Sequence, residues 1–387
     1  MLESIPYGKQ SISKSDIDAV VEVLCSDWLT QGPVVPAFEK AIANKCKAKS
    51  AVAVNSATSA LHIACLALGV GSGDTVWTSP NTFVATANCA RYCGATVDFV
   101  DIDPDTWCLS IEKLQQKLKE HQASGYSIPK VVIPVHLSGQ SCDMQSIYEL
   151  GQQYGFKIIE DASHAIGGTY QNEPVGNCKY SDITVFSFHP VKIITTGEGG
   201  MALTNDPEIH EHMARLRSHG ITSNPKHMTI ESSEPWYYEQ IELGFNYRMT
   251  DIHAALGLSQ LERLDEFVEQ RNELTQNYEE AFADDPIQRQ VVPEETHSAR
   301  HLYVIRVHKH QHLRLFEKFR GEGIGVNLHY MPVHLQPYYR KLGFQEGDFP
   351  EAEKYGKEAI SIPLFPRLTD EEQSKVITII KDWSECE

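Results

Sequence analysis

No Cys-x-x-Cys pair occurs among the nine cysteines, which stand at 25, 46, 65, 89, 93, 108, 142, 178 and 386. An odd number at scattered spacings excludes a disulfide framework and reads as reduced thiols. No run approaches the roughly 20 apolar residues of a membrane helix. The opening Met1-Leu-Glu-Ser-Ile-Pro-Tyr7 lacks the basic end and apolar stretch of a secretory leader. Cytoplasmic residence is the expectation. Positive charge is short as well: 34 Lys and Arg stand against 52 Asp and Glu, a formal charge of −18. That balance argues against nucleic acid and against an anionic membrane surface as partner. It leaves room for a small anion held by a few local cations and backbone N–H groups. Also missing are Gly-x-x-x-x-Gly-Lys-Ser/Thr and His-Glu-x-x-His. His308, His310 and His312 alternate with no carboxylate between them, so no metal site is expected. Gly69-Val-Gly71-Ser-Gly73 follows a helical pattern rather than a strand and lacks the dinucleotide spacing.

What is present is a regular alternation. Short apolar runs at 51–54, 75–78, 96–100, 131–135, 157–160, 183–188 and 200–204 are separated by helical patterns such as 58–68, 83–92, 111–121 and 144–154. Strand-length runs separated by helices predict an α/β fold with a mostly parallel sheet covered on both faces. The 387 residues divide, on this reading, into an N-terminal arm (1–34), a large domain (35–265) and a smaller C-terminal α+β domain (266–387). A polar, loop-like insert spans 222–239, and one amphipathic helix is expected from about Asp251 to Phe282, with strands at 301–307 and 325–329.

In parallel sheets ligands gather beyond the carboxyl ends of the strands, and chemistry-bearing residues stand at several of these ends. The run Thr184-Val-Phe-Ser-Phe-His-Pro-Val-Lys192 delivers one lysine into a turn followed by Gly197-Glu-Gly-Gly200. A lysine held beside glycines can be desolvated, which leaves a neutral, nucleophilic amine able to form a Schiff base. The plain alternative is a surface lysine. Asn55-Ser56-Ala57-Thr58 ends one strand and starts a helix, either as a phosphate cradle or as an ordinary cap. Asp161 ends Ile158-Ile-Glu-Asp161, either holding a protonated ring nitrogen or capping a turn. Phe83 follows a strand and a Ser-Pro-Asn turn, where an aromatic face can stack on a heteroaromatic ring or join the core. Together, a cradle, a carboxylate, an aromatic and a lysine at successive strand ends fit a pyridoxal phosphate (PLP) site.

These residues lie within longer motifs: Leu29-Thr-Gln-Gly-Pro33, Asn55-Ser-Ala-Thr-Ser-Ala-Leu61, Glu160-Asp-Ala-Ser-His-Ala165, Ser187-Phe-His-Pro-Val-Lys192, Gly244-Phe-Asn-Tyr-Arg-Met-Thr-Asp251 and Gly325-Val-Asn-Leu-His-Tyr-Met-Pro-Val-His334. The chain thereby resembles, nearly end to end, the PLP-dependent nucleotide-sugar aminotransferases of the DegT/DnrJ/EryC1/StrS family, and most of all their pseudaminic acid branch. The resemblance implies the type I, aspartate-aminotransferase-like fold. It implies that Lys192 bonds covalently to PLP, that Asp161 pairs with the pyridinium nitrogen, and that Phe83 stacks on the ring. Ala57, Thr58 and Ser187 would receive the phosphate, Ser56 would also bind the cofactor, and His164 stands beside it where many relatives carry glutamine. Asn246 and Arg248 would reach the site from a second subunit, which implies a homodimer with shared active sites. Tyr7, Trp28, Leu29, Thr30, His329 and Tyr330 match positions near the sugar nucleotide. The implied reaction moves an amino group from L-glutamate, leaving 2-oxoglutarate, to C4 of a UDP-linked 4-keto-6-deoxy-N-acetylhexosamine. Three alternatives stay open: a dTDP- or GDP-linked keto sugar, a sugar dehydratase, and a protein that holds PLP without turnover. Dehydratase relatives replace the lysine with histidine, and here the lysine is present.

Overall fold

The computed structural model describes residues 4–230, 232 and 234–384. The chain opens with α1 (Lys14–Leu24), started by a reciprocal Ser13/Asp16 capping box, and α2 (Val34–Cys46). Four strand and helix pairings follow: β1 (Ser50–Val54) with α3 (Ala57–Ala67), β2 (Thr75–Thr78) with α4 (Val84–Tyr92), β3 (Thr96–Phe99) with α5 (Ile111–Ser124), β4 (Val131–Ile133) with α6 (Met144–Tyr154), then β5 (Lys157–Asp161). A small hairpin, β6 (Thr169–Tyr170) and β7 (Glu173–Pro174), precedes β8 (Ile183–Ser187), β9 (Gly200–Thr204) and α7 (Pro207–Arg217). The polar insert is bounded by a short pair, β10 (Ile221–Thr222) and β11 (Glu239–Gln240).

The central seven-stranded sheet has the order β1-β9-β8-β5-β4-β2-β3. The four pairings from β8 outward to β3 are all parallel, whereas β9 runs antiparallel to both β8 and β1. Two parallel neighbours need a crossover, usually a helix, and between β8 and β9 there is none. The chain turns straight back, and Lys192 sits in that turn. The apolar faces of the sheet are buried under helices on both sides: Trp77, Phe99 and Ile133 pack into one cluster, and Phe38, Phe186 and Phe188 into another. Nearly every position of these strands is buried, which is what a doubly covered sheet demands.

The expected single helix from Asp251 to Phe282 is two, α8 (Asp251–Leu261) and α9 (Leu264–Ala281). Neither Gly nor Pro breaks it. Instead α8 packs on α1 and α2, while Leu274 and Tyr278 of α9 belong to the C-terminal core, so the two halves must point at different partners. The break is held by Asp16, a fully buried carboxylate that accepts from Ser259, Gln260 and Arg263. Beyond it lie β12 (Gln288–Arg289), β13 (Thr296–His297), β14 (Tyr303–Arg306), α10 (Lys309–Gly321), α11 (Pro337–Arg340), α12 (Pro350–Glu358), β15 (Ala359–Ile362) and α13 (Asp370–Ser384). The strand expected at 325–329 is not formed; only Asn327 pairs, with Ser361. The N-terminal arm takes the place of further pairing, because Ile5 exchanges backbone hydrogen bonds with Gly323 and Gly325 at 3.0 and 2.6 Å.

Candidate active site

The carboxyl ends of β5 and β8, the start of α3 and the segment after Gly325 surround one cavity of about 860 Å³. That is room for a cofactor and a sugar together, since drug-sized ligands occupy roughly 300–1,000 Å³. Ser56, Ala57, Thr58, Phe83, Asp161, His164, Ser187, Lys192, Tyr7, His329 and Tyr330 all line it. Residues distant in sequence thus converge on one space.

At one wall, α3 begins. Ser56 caps it, its hydroxyl accepting from the Ser59 N–H at 3.2 Å. The first-turn N–H groups of Ala57 and Thr58 have no acceptor within a helix, so they face outward with the positive end of the helix behind them. The approach of β9 is equally close: a Cβ on Gly200 would lie 2.6 Å from the Ala57 Cα. Only glycine lets the start of β9 touch the helix start. A phosphate fits such a nest of open N–H groups.

Asp161 lies at the opposite wall. Its carboxylate accepts from the Thr86 hydroxyl at 2.6 Å and from the Ser163 N–H at 3.1 Å. Both oxygens are thereby oriented and each retains acceptor capacity. Phe83 stands at the N-cap position of α4 with 56% of its surface exposed, its ring centroid 5.8 Å from that of Tyr330. It is no core residue here. Ser187 closes β8 and is buried.

Lys192 follows β8 with its backbone N–H bonded to the His189 carbonyl at 2.9 Å. Part of its side chain faces the open cavity, but protein surrounds the amine. Burial pushes the ammonium down from the ordinary 10.5 to about 8, against an opposing pull from the charge of Asp161. Three buried histidines share the space. His164 and His301 are pushed well below the usual range, first by burial and then by neighbouring cations or histidines, and His329 falls to about 4, first by burial and then by Lys192. All three are neutral at physiological pH. His329 bonds the Ser361 hydroxyl at 2.8 Å through Nδ1, and its ring lies 5.0 Å from that of Tyr7.

Five expected residues are not in this cavity. Trp28 and Leu29 are 56% and 47% exposed, and Thr30 pairs its backbone with Thr250. Arg248, half-buried, pairs with Val54 just before the α3 cradle, and Asn246, exposed, pairs with Ser218, both through backbone bridges. Sequence reasoning in turn passed over Thr86, Ser163, His301 and Asn327, which line the cavity. Thr86 sits inside a helical pattern and His301 at the head of a strand, where nothing marks them as functional.

The donor set fits PLP: open N–H groups for its phosphate, a fixed carboxylate for its ring nitrogen, and a low-pKa lysine for its aldehyde. The profile of the DegT/DnrJ/EryC1/StrS aminotransferase family matches residues 10–381. The spore coat polysaccharide biosynthesis protein SpsC of Bacillus subtilis is 40% identical over 98% of this chain and 96% of its own. Among solved structures, PseC of Helicobacter pylori, an aminotransferase in pseudaminic acid biosynthesis, superposes with a TM-score of 0.89 at 31% identity, covering 100% of both chains. Spr1654 of Streptococcus pneumoniae, a protein of the sugar-aminotransferase class, superposes in its PLP form with a TM-score of 0.88 at 31% identity, covering 99% of both chains; a PMP form is also similar. The sequence motifs, the type I fold and the cavity agree with these likenesses, and the chain belongs to the DegT/DnrJ/EryC1/StrS aminotransferase family, a PLP-dependent sugar aminotransferase.

Proposed function

We propose that this enzyme moves the amino group of L-glutamate to C4 of a UDP-linked 4-keto-6-deoxy-N-acetylhexosamine, in the synthesis of pseudaminic acid, and that it acts as a homodimer with shared sites. The observation that carries the substrate reading is the full-length likeness to Helicobacter pylori PseC. PLP, when bound, supplies the electron sink and the carbon that carries the amino group between donor and acceptor. The chain supplies position and proton transfer. Ala57 and Thr58 would hold the phosphate, Asp161 would keep the ring nitrogen protonated, and Phe83 would stack on the ring. Lys192 Nζ, whose neutral fraction burial raises, would take the proton from the donor's α-carbon and return one to the sugar's C4. His329 and Tyr330 meet the sugar from the opposite wall.

The shared-site reading has separate support. Glutamate brings two carboxylates and a UDP-sugar a diphosphate, yet among the described residues no arginine lines the cavity. Arg248 is half-buried and makes no side-chain ion pair among the described residues. A second copy that brings Asn246 and Arg248 to this cavity would supply the missing cation. Trp28, Leu29 and Thr30 would serve the sugar nucleotide from the same interface. As for location, among the described residues no helix is long and apolar enough to cross a membrane, and eight cysteines are unpaired, which suits a reducing cytoplasm.

The test is direct. Incubation with glutamate and UDP-, dTDP- or GDP-linked 4-keto sugars, followed by 2-oxoglutarate release, is expected to favour the UDP sugar. Preference for another nucleotide overturns the substrate assignment, and no turnover with any of them favours a protein that holds PLP without catalysis.

A further inference from the structure

We propose that His164 is a positioning residue that turns the Tyr330 hydroxyl into a fixed hydrogen-bond donor aimed into the cavity, toward an acceptor oxygen of the bound ligand. The proposal rests on this cavity being the site of transamination, and not on which nucleotide sugar enters it.

The geometry leaves His164 one protonation pattern. Its Nδ1 lies 3.3 Å from the Ser138 backbone nitrogen. A backbone N–H only donates, so Nδ1 must accept and carries no proton. The Ser138 N–H cannot turn away. Ser138 occupies the left-handed region at φ 61° and is pinned on both sides, its own carbonyl accepting from Leu302 at 3.3 Å and the next N–H, of Gly139, bonding His136 at 3.2 Å. Burial and the adjacent Lys192 and His329 keep the ring neutral. A neutral ring with a bare Nδ1 has its single proton on Nε2.

Nε2 lies 3.1 Å from the Tyr330 hydroxyl and therefore donates to it. The neighbouring His301 does not compete: its ring centroid is 4.4 Å away, but no hydrogen bond joins the two rings and its Nδ1 has no partner. Burial first, and then the charge of Asp161, raise the Tyr330 phenol, so it keeps its proton. A phenol that accepts from His164 still has that O–H to place, and no second protein acceptor for it occurs among the described residues. Tyr330 lines the cavity together with Lys192 and Asp161. Its proton is directed at whatever lies there. Two ligand oxygens have the right chemistry: the phenolic oxygen of PLP and the carbonyl oxygen of the keto sugar.

The experiment has two readouts. In the full chain labelled with 15N-histidine, with and without PLP, His164 should show the Nε2–H tautomer unchanged from pH 6 to 8, its signals identified by their loss in His164→Gln. A charged ring over that range, or a proton on Nδ1, overturns the proposal. The second readout is a cycle of variants of the holoenzyme. Tyr330→Phe and His164→Asn should each lower kcat about tenfold, the worth of one good hydrogen bond, and the double variant should fall no further. His164→Gln, whose amide reaches the place of Nε2–H, should retain most of the activity. Additive losses, or His164→Gln as poor as His164→Asn, mean that His164 acts as packing only. The target oxygen follows from Tyr330→Phe: a displaced pH midpoint of the holoenzyme's visible absorbance without sugar identifies PLP, whereas an unchanged spectrum with altered sugar kinetics identifies the keto oxygen. Neither change overturns the aimed donor.

Discussion

If burial has lowered the Lys192 amine to about 8, its reactivity in the enzyme freed of PLP should show it. At pH 7.5 a group titrating at about 8 is about one-quarter neutral, whereas one at the ordinary 10.5 is about one-thousandth neutral. The difference is more than two orders of magnitude in nucleophile at one pH. Trinitrobenzenesulfonate labelling, read on the peptide that contains Lys192, should therefore rise through a midpoint near 8 while surface lysines rise near their usual value. Asp161→Asn removes the one charge that opposes the displacement, so the midpoint should move further down. A second measurement follows from linkage. In the unfolded chain Lys192 stays charged up to 10.5, and in the fold only up to about 8. The cost to the fold is full below pH 8, shrinks from 8 to 10.5 and vanishes above. It amounts to at most about 3 kcal/mol, less a discount for the part of the side chain that faces the open cavity. Lys192→Met should accordingly stabilise the PLP-free enzyme at pH 7, and the advantage should close as pH rises through that window. A labelling midpoint near 10, or an upward move in Asp161→Asn, would refute the argument.

Two further outcomes are expected. Gly200→Ala sets a methyl against the Ala57 backbone and should displace the start of α3; PLP titration should show affinity weakened roughly tenfold to a hundredfold, the effect of a misplacement of about 1 Å, and unchanged affinity would mean that the cradle lies elsewhere. Mixing Lys192→Ala with the Asn246→Ala/Arg248→Ala double variant, after subunit exchange is confirmed with differently tagged chains, should restore about a quarter of wild-type activity, because half of random dimers are mixed and each holds one intact site; exchange without recovery removes the shared-site model.

How much of this could be read from the chain alone depends on whether the cause is local. Strand ends are local, since an apolar run stops at the residue that must leave the sheet, so Asp161 and Lys192 declared themselves by position, as did the cap residue Ser56. The direction of β9 was also readable in principle, because no helix-length pattern separates it from β8. The division of the long helix was not. It answers to Asp16, buried against Ser259, Gln260 and Arg263 from across the fold, and neither side of that contact carries a breaking residue. The same holds for the bond between His164 and Tyr330, partners separated by 166 positions. A histidine after a strand-end carboxylate suggests a ligand, but its role turns on which nitrogen carries the proton. That depends on a single backbone N–H at Ser138, whose left-handed conformation in a non-glycine residue leaves no trace in composition or periodicity. Local pattern thus placed groups that line the cavity, while the contacts that set their protonation arise only when distant segments close over it. Arg248 extends the argument by one level. Its place in this chain is half-buried beside Val54, just before the α3 cradle, and if the shared-site reading holds, the contact that gives it a function is absent from any single copy.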